Sequence, residues 1–395
     1  MIEIKALVKK YDGYIRGLRQ AFHAQPELAF QEYETTKRVA AELAAMGISY
    51  EITPEGTGLV GRIVGGRPGR TVALRADMDG LPVQEENDIA CRSQQAGRMH
   101  ACGHDGHMAM LLGAARMLME LRAELCGTVY LVFQPAEEVG HGARYMMDFG
   151  DWFTQTDAIF GGHLWQEAPA GRVSAEPGPR MAAGDHFRIT VHGRGGHGAR
   201  PEQTVDALVA GAAIVLSLQT VVSRHFSPLA DVLLTVGSFH SGRQFNVIPG
   251  EAVLEGTTRY FDLSLADDLR AAIEQRAVQT AAAYGATAAI DYEQKVPSAV
   301  INDASASAAA AAAVTEVLGA AALASVQRTM IGEDFSFYLE QKPGCFLFIG
   351  IANPDKGITQ AHHNSRFDID EDVLAGGAGV YAACALRWLE AHAPA

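Results

Sequence analysis

Strand-like apolar runs alternate with helical runs along most of this chain, and the alternation breaks once. That break constrains the fold more than any other feature. The runs GLVGRIVG and TVALRAD come before the helical MAMLLGAARMLMELRAEL, and the strand GTVYLVFQ, a helical GARYMMDFG and the strand DAIFGGHLW come after it. Such alternation predicts an α/β layer sandwich with a mostly parallel sheet. Near residue 184 the order changes. A strand (DHFRITVHGR) is followed by a long helix (TVDALVAGAAIVLSLQTVVSR), two strands (DVLLTVGSFH and EAVLEGTTRYF), a helix (SLADDLRAAIEQRAVQTAAAYG) and a last strand (ATAAIDYEQKV). This β-α-β-β-α-β order is the ferredoxin-like arrangement, and it closes within about 110 residues, an ordinary domain size. After Pro297 the first pattern resumes. ASASAAAAAAV reads as a helix because Ala is the best helix former, GCFLFIGIAN as a buried strand and EDVLAGGAGVYAACALRWLEA as a closing helix. The expected organisation is a discontinuous α/β domain, residues 1–183 and 297–395, with a second domain, 184–296, inserted into it.

Composition narrows the partners. The chain has 395 residues, 48% of them hydrophobic, enough for two buried cores. Its net charge is −14, and no Lys/Arg cluster is present to follow a phosphate backbone, so nucleic acid is excluded as an expected partner. The acidic balance disfavours anionic membranes. No stretch of about 18 apolar residues is read as a membrane span, and the charged N-terminus has no signal-peptide pattern. The five cysteines, at 91, 102, 126, 345 and 384, are odd in number and scattered, which fits a reduced, cytoplasmic protein. Cys91, Cys126, Cys345 and Cys384 read as small buried hydrophobes.

Chemistry gathers where strands end. In open α/β sheets, ligands bind beyond the carboxyl ends of the strands. Asp77 and Asp79 follow TVALRA, Glu137 and Glu138 follow TVYLVFQPA, His163 follows AIFGG, and His362 and His363 follow CFLFIGIAN after a short loop. The loop MHACGHDGHM, Met99–Met108, adds His100, Cys102, His104, Asp105 and His107 just before an apolar helix. Thiolate, imidazole and carboxylate together suit zinc, manganese, cobalt or nickel, and a carboxylate beside such a metal can move a water proton. Taken singly, each group has a plainer reading. Glu137-Glu138 could favour a helix N-terminus, His163 could be a packed core residue, and Cys102 could be a nucleophile with His104 or His107 as its base. A lone structural zinc site fits poorly, because paired C-x-x-C spacing is missing.

Seven stretches, taken in order, resemble one family over nearly the whole chain. They are HAQPELAFQEYET, LRADMDGLPVQE, MHACGHDGHMAMLLGAA, VFQPAEEVGHGA, GRGGHGARPEQTVDAL, NVIPG and GEDFSFY. They are similar to the metallo-amidohydrolases that include hippurate hydrolases, N-acyl-amino-acid amidohydrolases and auxin-conjugate hydrolases, relatives of aminoacylases and metallocarboxypeptidases. The resemblance implies an enzyme with two divalent metal ions (manganese, zinc, cobalt or nickel) held by Cys102, His104, Glu138, His163 and His363. His363 is preferred to His362 because HNSRFD is similar to the family's His-Asn-Pro-Arg-aromatic-Asp run, with Ser365 in place of Pro. The resemblance makes Glu137 the general acid/base and Asp79 the group that orients a ligand imidazole, with Gly80 where Ala is common. It makes the inserted domain a lid that mediates a homodimer, and makes His197, Asn246 and Arg259 substrate contacts, His197 reaching across the dimer.

The expected reaction is hydrolysis of an N-acyl amino acid to a carboxylic acid and a free amino acid by metal-bound hydroxide. A non-catalytic metal-binding scaffold of the same fold and a cysteine-nucleophile hydrolase are the alternatives. His100 and His107 are expected to support the site without binding metal.

Overall fold

A computed structural model describes residues 4–296 and 298–393. The first three residues of the expected N-terminal helix, Pro297 at the expected domain junction and the last two residues of the chain lie outside the described residues. The chain falls into two compact units: Met1–Arg180 with Ile301–Arg328 and Asp334–Ala395, and Met181–Val300 with Thr329–Glu333. The short segment Thr329–Glu333, read above as part of the first domain, clusters with the second unit because the Ala182 amide donates to the Ile331 carbonyl at 3.0 Å. Each unit has its own apolar core, and the two cores share no residue.

The first unit is built on a seven-stranded sheet. Its strands are β1 (Ser49–Ile52), β2 (Leu59–Val64), β3 (Arg67–Asp77), β4 (Cys126–Gln134), β5 (Ala158–Pro169), β6 (Val173–Ser174) and β7 (Gly344–Ala352), in the spatial order β1-β2-β4-β3-β5-β7-β6. The central strands β4, β3, β5 and β7 are parallel, and the flanking pairs are antiparallel. The last six residues of β3 and all but the last residue of β7 are buried, as parallel strands covered on both faces should be.

The helices of six or more residues are α1 (Ile4–His23), α2 (Tyr33–Ala45), α3 (His104–Glu120), α4 (Gly142–Met147), α5 (Ala304–Leu318) and α6 (Leu374–Ala391). Helix α3 is buried on nearly all sides from His104 to Leu118 and packs against α1 and α6. An apolar helix without a polar face belongs in the middle of a layer. The Ala-rich run forms α5, which places Ala306, Ala310 and Ala313 in the core beside α6.

In the second unit, Gly184–His192, Val232–Ser241, Glu251–Tyr260 and Thr287–Val296 form an antiparallel sheet in the order second, third, first, fourth. Helices Ala207–Thr220 and Ala266–Ala283 pack on each other and on this sheet. The stretch Ala207–His225 is long and apolar enough to cross a membrane by length and composition, so the expectation that no such stretch exists does not hold. Here its helix buries Ala207, Ala210, Gly211, Ile214 and Leu218, and a core helix of this composition meets the same criterion.

Candidate metal centre

The parallel strands carry the first unit's chemistry to one rim. Strand β3 ends at Asp77, with Asp79 just beyond. Strand β4 ends at Gln134, and the turn after it presents Glu137 and Glu138 before α4. His163 sits within β5, paired in register with Phe348 of β7. Gly103, at φ +92°, occupies the left-handed region and turns the Cys102 loop into α3. The backbone of His363, at φ +65°, donates to the Ala101 carbonyl at 2.8 Å, which ties the loop after β7 to the same place.

All five expected ligands converge. The Cys102 sulfur lies 3.4 Å from His163 Nε2, Glu138 Oε2 lies 3.4 Å from His363 Nε2, and Glu138 Oε1 lies 3.9 Å from His104 Nε2. Cys102, His104 and His163 form one cluster with ligand atoms within 4.8 Å of one another. Cys102, Glu138 and His363 form a second, and His104, Glu137 and Glu138 a third. Neutral imidazole offers a lone pair on one nitrogen only, and the hydrogen bond made by the other nitrogen decides which. His104 Nδ1 donates to the Asp79 carbonyl at 2.9 Å, and His163 Nδ1 donates to the Leu164 carbonyl at 2.8 Å. Both rings therefore turn Nε2 into the cluster. His104 Nε2 and Glu138 Oε1 are buried without a hydrogen-bond partner, a costly state unless a cation is bound there.

The electrostatics agree. Burial alone would lower the His104 imidazole, but Asp77, Asp79 and Glu138 raise it to about 10. Burial, then Glu138, Glu137 and Asp77, push the Cys102 thiol well above its ordinary value. Burial likewise opposes ionisation of Glu138, yet His363 and His104 hold it below the usual carboxylate range. The cluster is a concentration of negative potential, and its donor set of thiol, imidazole and carboxylate fits a divalent metal.

Two of the surrounding histidines, His107 and His362, are held through one shared peptide. His107 donates from Nδ1 to Asp77 at 2.6 Å and accepts the Leu164 amide at Nε2 at 2.9 Å, which leaves neither nitrogen for a metal. His362 Nε2 donates to the Leu164 carbonyl at 2.9 Å. Leu164 thus fixes His107, His163 and His362 through its backbone alone. His100 is buried with both ring nitrogens unpartnered, and burial lowers its imidazole to about 4. Asp77, against the pull of burial, is kept well below its ordinary value by His104, His107 and Arg75, and Arg75 bonds it at 2.8 Å.

Asp79 acts in two ways. Its carbonyl takes the shorter contact to His104, while its two carboxylate oxygens accept the backbone amides of Glu137 and Glu138, each at 3.1 Å. Sequence reasoning assigned the imidazole contact and missed the amide contacts, the Leu164 peptide and Arg75. The charged Arg75 inside an apolar strand was the one available signal among these.

The remaining three expected site residues lie in the second unit. Gly196–His197 pairs with Val247–Ile248, and the Gly198 amide donates to the Asn246 carbonyl at 2.8 Å, so His197 and Asn246 are neighbours and both exposed. His197 Nδ1 accepts the Ala199 amide at 3.0 Å, which places the proton of the neutral ring on Nε2. Arg259, on strand Glu251–Tyr260, donates to the Thr258 carbonyl at 2.7 Å and to the Thr257 hydroxyl.

Comparison with known proteins agrees with this chemistry. Residues 73–387 match the model of Peptidase family M20/M25/M40. The chain is 39% identical over 388 residues to IAA-amino acid hydrolase ILR1-like 4 of Arabidopsis thaliana, covering 97% of this chain and 88% of that one. It is 37% identical over 383 residues to N-acetylcysteine deacetylase of Bacillus subtilis (strain 168), covering 97% and 98%. The crystal structure of the Bacillus subtilis YXEP protein, described as a dinuclear metal binding peptidase from the M20 family, superposes with a TM-score of 0.85 at 32% identity, covering 97% of this chain and 99% of that one. With a family model spanning most of its length and full-length relatives above 30% identity, the chain belongs to peptidase family M20/M25/M40 and is an amidohydrolase.

Proposed function

We infer that this protein hydrolyses the amide bond of N-acyl amino acids, releasing a carboxylic acid and a free amino acid. The observation that carries this reading is the convergence of Cys102, His104, Glu138, His163 and His363 around two buried, unpartnered ligand atoms, with Glu137 adjoining them. The names of the relatives, a hydrolase of IAA-amino acids and a deacetylase of N-acetylcysteine, support the substrate class. Those five side chains would hold two divalent ions, which supply Lewis acidity toward the amide carbonyl and lower the pKa of bound water to about 7.

The chain's own groups do the rest. Glu137 takes the proton of the attacking water and returns it to the leaving nitrogen. Asp79 keeps the Glu137–Glu138 backbone in place while its carbonyl sets the tautomer of His104. In the homodimer that the resemblance implies, His197, with its proton on Nε2, would reach the partner copy's site and donate to the oxygen on which charge develops, and Asn246 and Arg259 would contact the rest of the substrate. A scaffold that only binds metal has no use for a base beside the ligands. A cysteine nucleophile has no use for His163 and the surplus of carboxylates gathered around Cys102.

The test is a panel of N-acyl amino acids assayed with protein stripped by chelator and reloaded with manganese, zinc, cobalt or nickel. Hydrolysis that depends on the added metal is expected. Activity that survives the chelator would favour the thiol mechanism, and hydrolysis of no panel member by any reloaded form would overturn the reading.

A further inference from the structure

Three non-glycine residues among those described have positive φ: Phe30 (58°), Ala136 (58°) and His363 (65°). Such backbone is strained in residues with a Cβ, and strain of this kind gathers at functional sites. His363 is an expected ligand, and Ala136 comes immediately before Glu137 and Glu138. Phe30 lies in a segment with no assigned role, yet that segment is tied to both acidic loops. The Gly80 amide, just past Asp79, donates to the Glu27 carbonyl at 2.7 Å, and Leu28 bridges to Gly80. Two residues after Phe30, Glu32 is fully buried, and its Oε1 accepts the Ala136 amide at 2.9 Å.

The geometry of the turn follows from these contacts. Ala136 holds its strained conformation with its N–H bonded to Glu32. The next two amides, of Glu137 and Glu138, enter the two oxygens of Asp79. Three consecutive backbone N–H groups therefore hang from two carboxyl groups on separate segments. Asp79 supplies one, and Glu32 supplies the other. The Glu32 backbone is itself anchored, because its carbonyl accepts both the amide (2.9 Å) and the hydroxyl (2.6 Å) of Thr36 in the first turn of α2.

We propose that Glu32 is a positioning residue, whose Oε1 pins the strained Ala136 peptide and so aims the side chains of Glu137 and Glu138. The assignment rests on the function inferred above for those two carboxylates. Burial, then the charge on Asp79, raise Glu32 to about 8, so at neutral pH it is a carboxylic acid. Its Oε2 is buried without a partner, and a neutral acid bears that at far lower cost than a carboxylate. What the turn requires from residue 32 is an acceptor oxygen and no charge.

That requirement separates two substitutions. Glu32→Gln keeps a carbonyl oxygen at the same reach, whereas Glu32→Leu removes it, with Glu32→Ala used in place of Leu if the Leu form does not fold. Three quantities are measured on each: amide hydrogen exchange across residues 135–142 in the metal-free protein, affinity for manganese by titration calorimetry, and kcat and KM on an N-acyl amino acid that the wild type hydrolyses. The apolar variant is expected to exchange faster in that segment alone. Its manganese affinity and kcat should fall by about 10–100-fold, the cost of losing a supporting hydrogen bond around a metal site, with KM within about twofold. The Gln variant should match the wild type in all three. Wild-type exchange and kcat in the apolar variant would overturn the proposal, and so would a Gln variant as impaired as the apolar one. If the wild type hydrolyses no N-acyl amino acid, the function reading fails by itself, and exchange and manganese affinity still decide the role of Glu32.

Discussion

Among single residues, Cys102 and Glu137 should fail in different ways. Cys102 touches His163 and shares a cluster with Glu138 and His363, so Cys102→Ala is expected to lower metal content and activity together, as elemental analysis and assay would show. Full metal content in that variant, with an acyl-enzyme trappable in the wild type, would point to a nucleophile instead. Glu137→Gln should keep its metal and lose roughly 10²–10⁴ in kcat, the usual contribution of a general acid/base. A near wild-type rate at metal saturation would remove Glu137 from the chemistry. His104→Gln should cost more metal than His107→Gln, because both nitrogens of His107 are already hydrogen-bonded.

The side chains of this site were legible in the sequence because Asp79, Glu138 and His363 follow strands, and Cys102 and His104 lie in a loop dense with ligand types; His163 was read at a strand end and lies inside β5 instead. The contribution of Leu164 was not legible, since a backbone N–H and C=O leave no mark on residue identity. Glu32 was equally hidden. Its letter is common on helix starts at the surface, and only the folded chain shows it buried against Ala136.

Among elements, the turn from β4 to α4 is the most tightly specified. The Gly142 amide donates to the Ala136 carbonyl at 3.1 Å, and a Cβ at Gly142 would stand 1.7 Å from the Pro135 carbonyl oxygen. Backbone cannot yield there as a flexible side chain would. Gly142→Ala should therefore open the turn, destabilise the first unit by about 1–3 kcal/mol as overpacking does, and weaken metal binding because Glu138 moves with it. Calorimetric unfolding and a metal titration would read the two effects, and a variant unchanged in both would show that the turn tolerates a side chain. Alternation of strands and helices made the parallel core of the sheet legible. Ala207–His225 is not one unbroken apolar run, yet its small and branched apolar residues outweigh the few polar ones enough to make it as apolar on average as a membrane span.

Across the whole molecule, two separate cores predict separable unfolding. A ligand that binds only the folded form of one unit stabilises that unit. Added manganese or zinc should raise the unfolding transition of the first unit and leave that of the second in place, and Cys102→Ala should weaken the response. A shift of the second unit's transition alone would contradict placement of the ligands in the first. The homodimer that the family resemblance implies has its own test. Subunits carrying His197→Ala and Glu137→Ala, each inactive alone, should regain part of their activity when mixed if His197 serves the partner's site. No recovery despite demonstrated subunit exchange would refute that arrangement.

The discontinuity of the first unit also orders events in time. His163 and His363 are about 200 residues apart, so a ribosome adding about 5–20 residues per second needs on the order of 10–40 s to pass from one to the other. Strand β7, which pairs with both β5 and β6, emerges late in that interval. Until then β5 has an open edge on the side away from β3, the kind of edge that recruits other chains, and the nascent chain cannot complete its set of ligands. The second unit, synthesised entirely within the interval, has time to fold before the first can be finished.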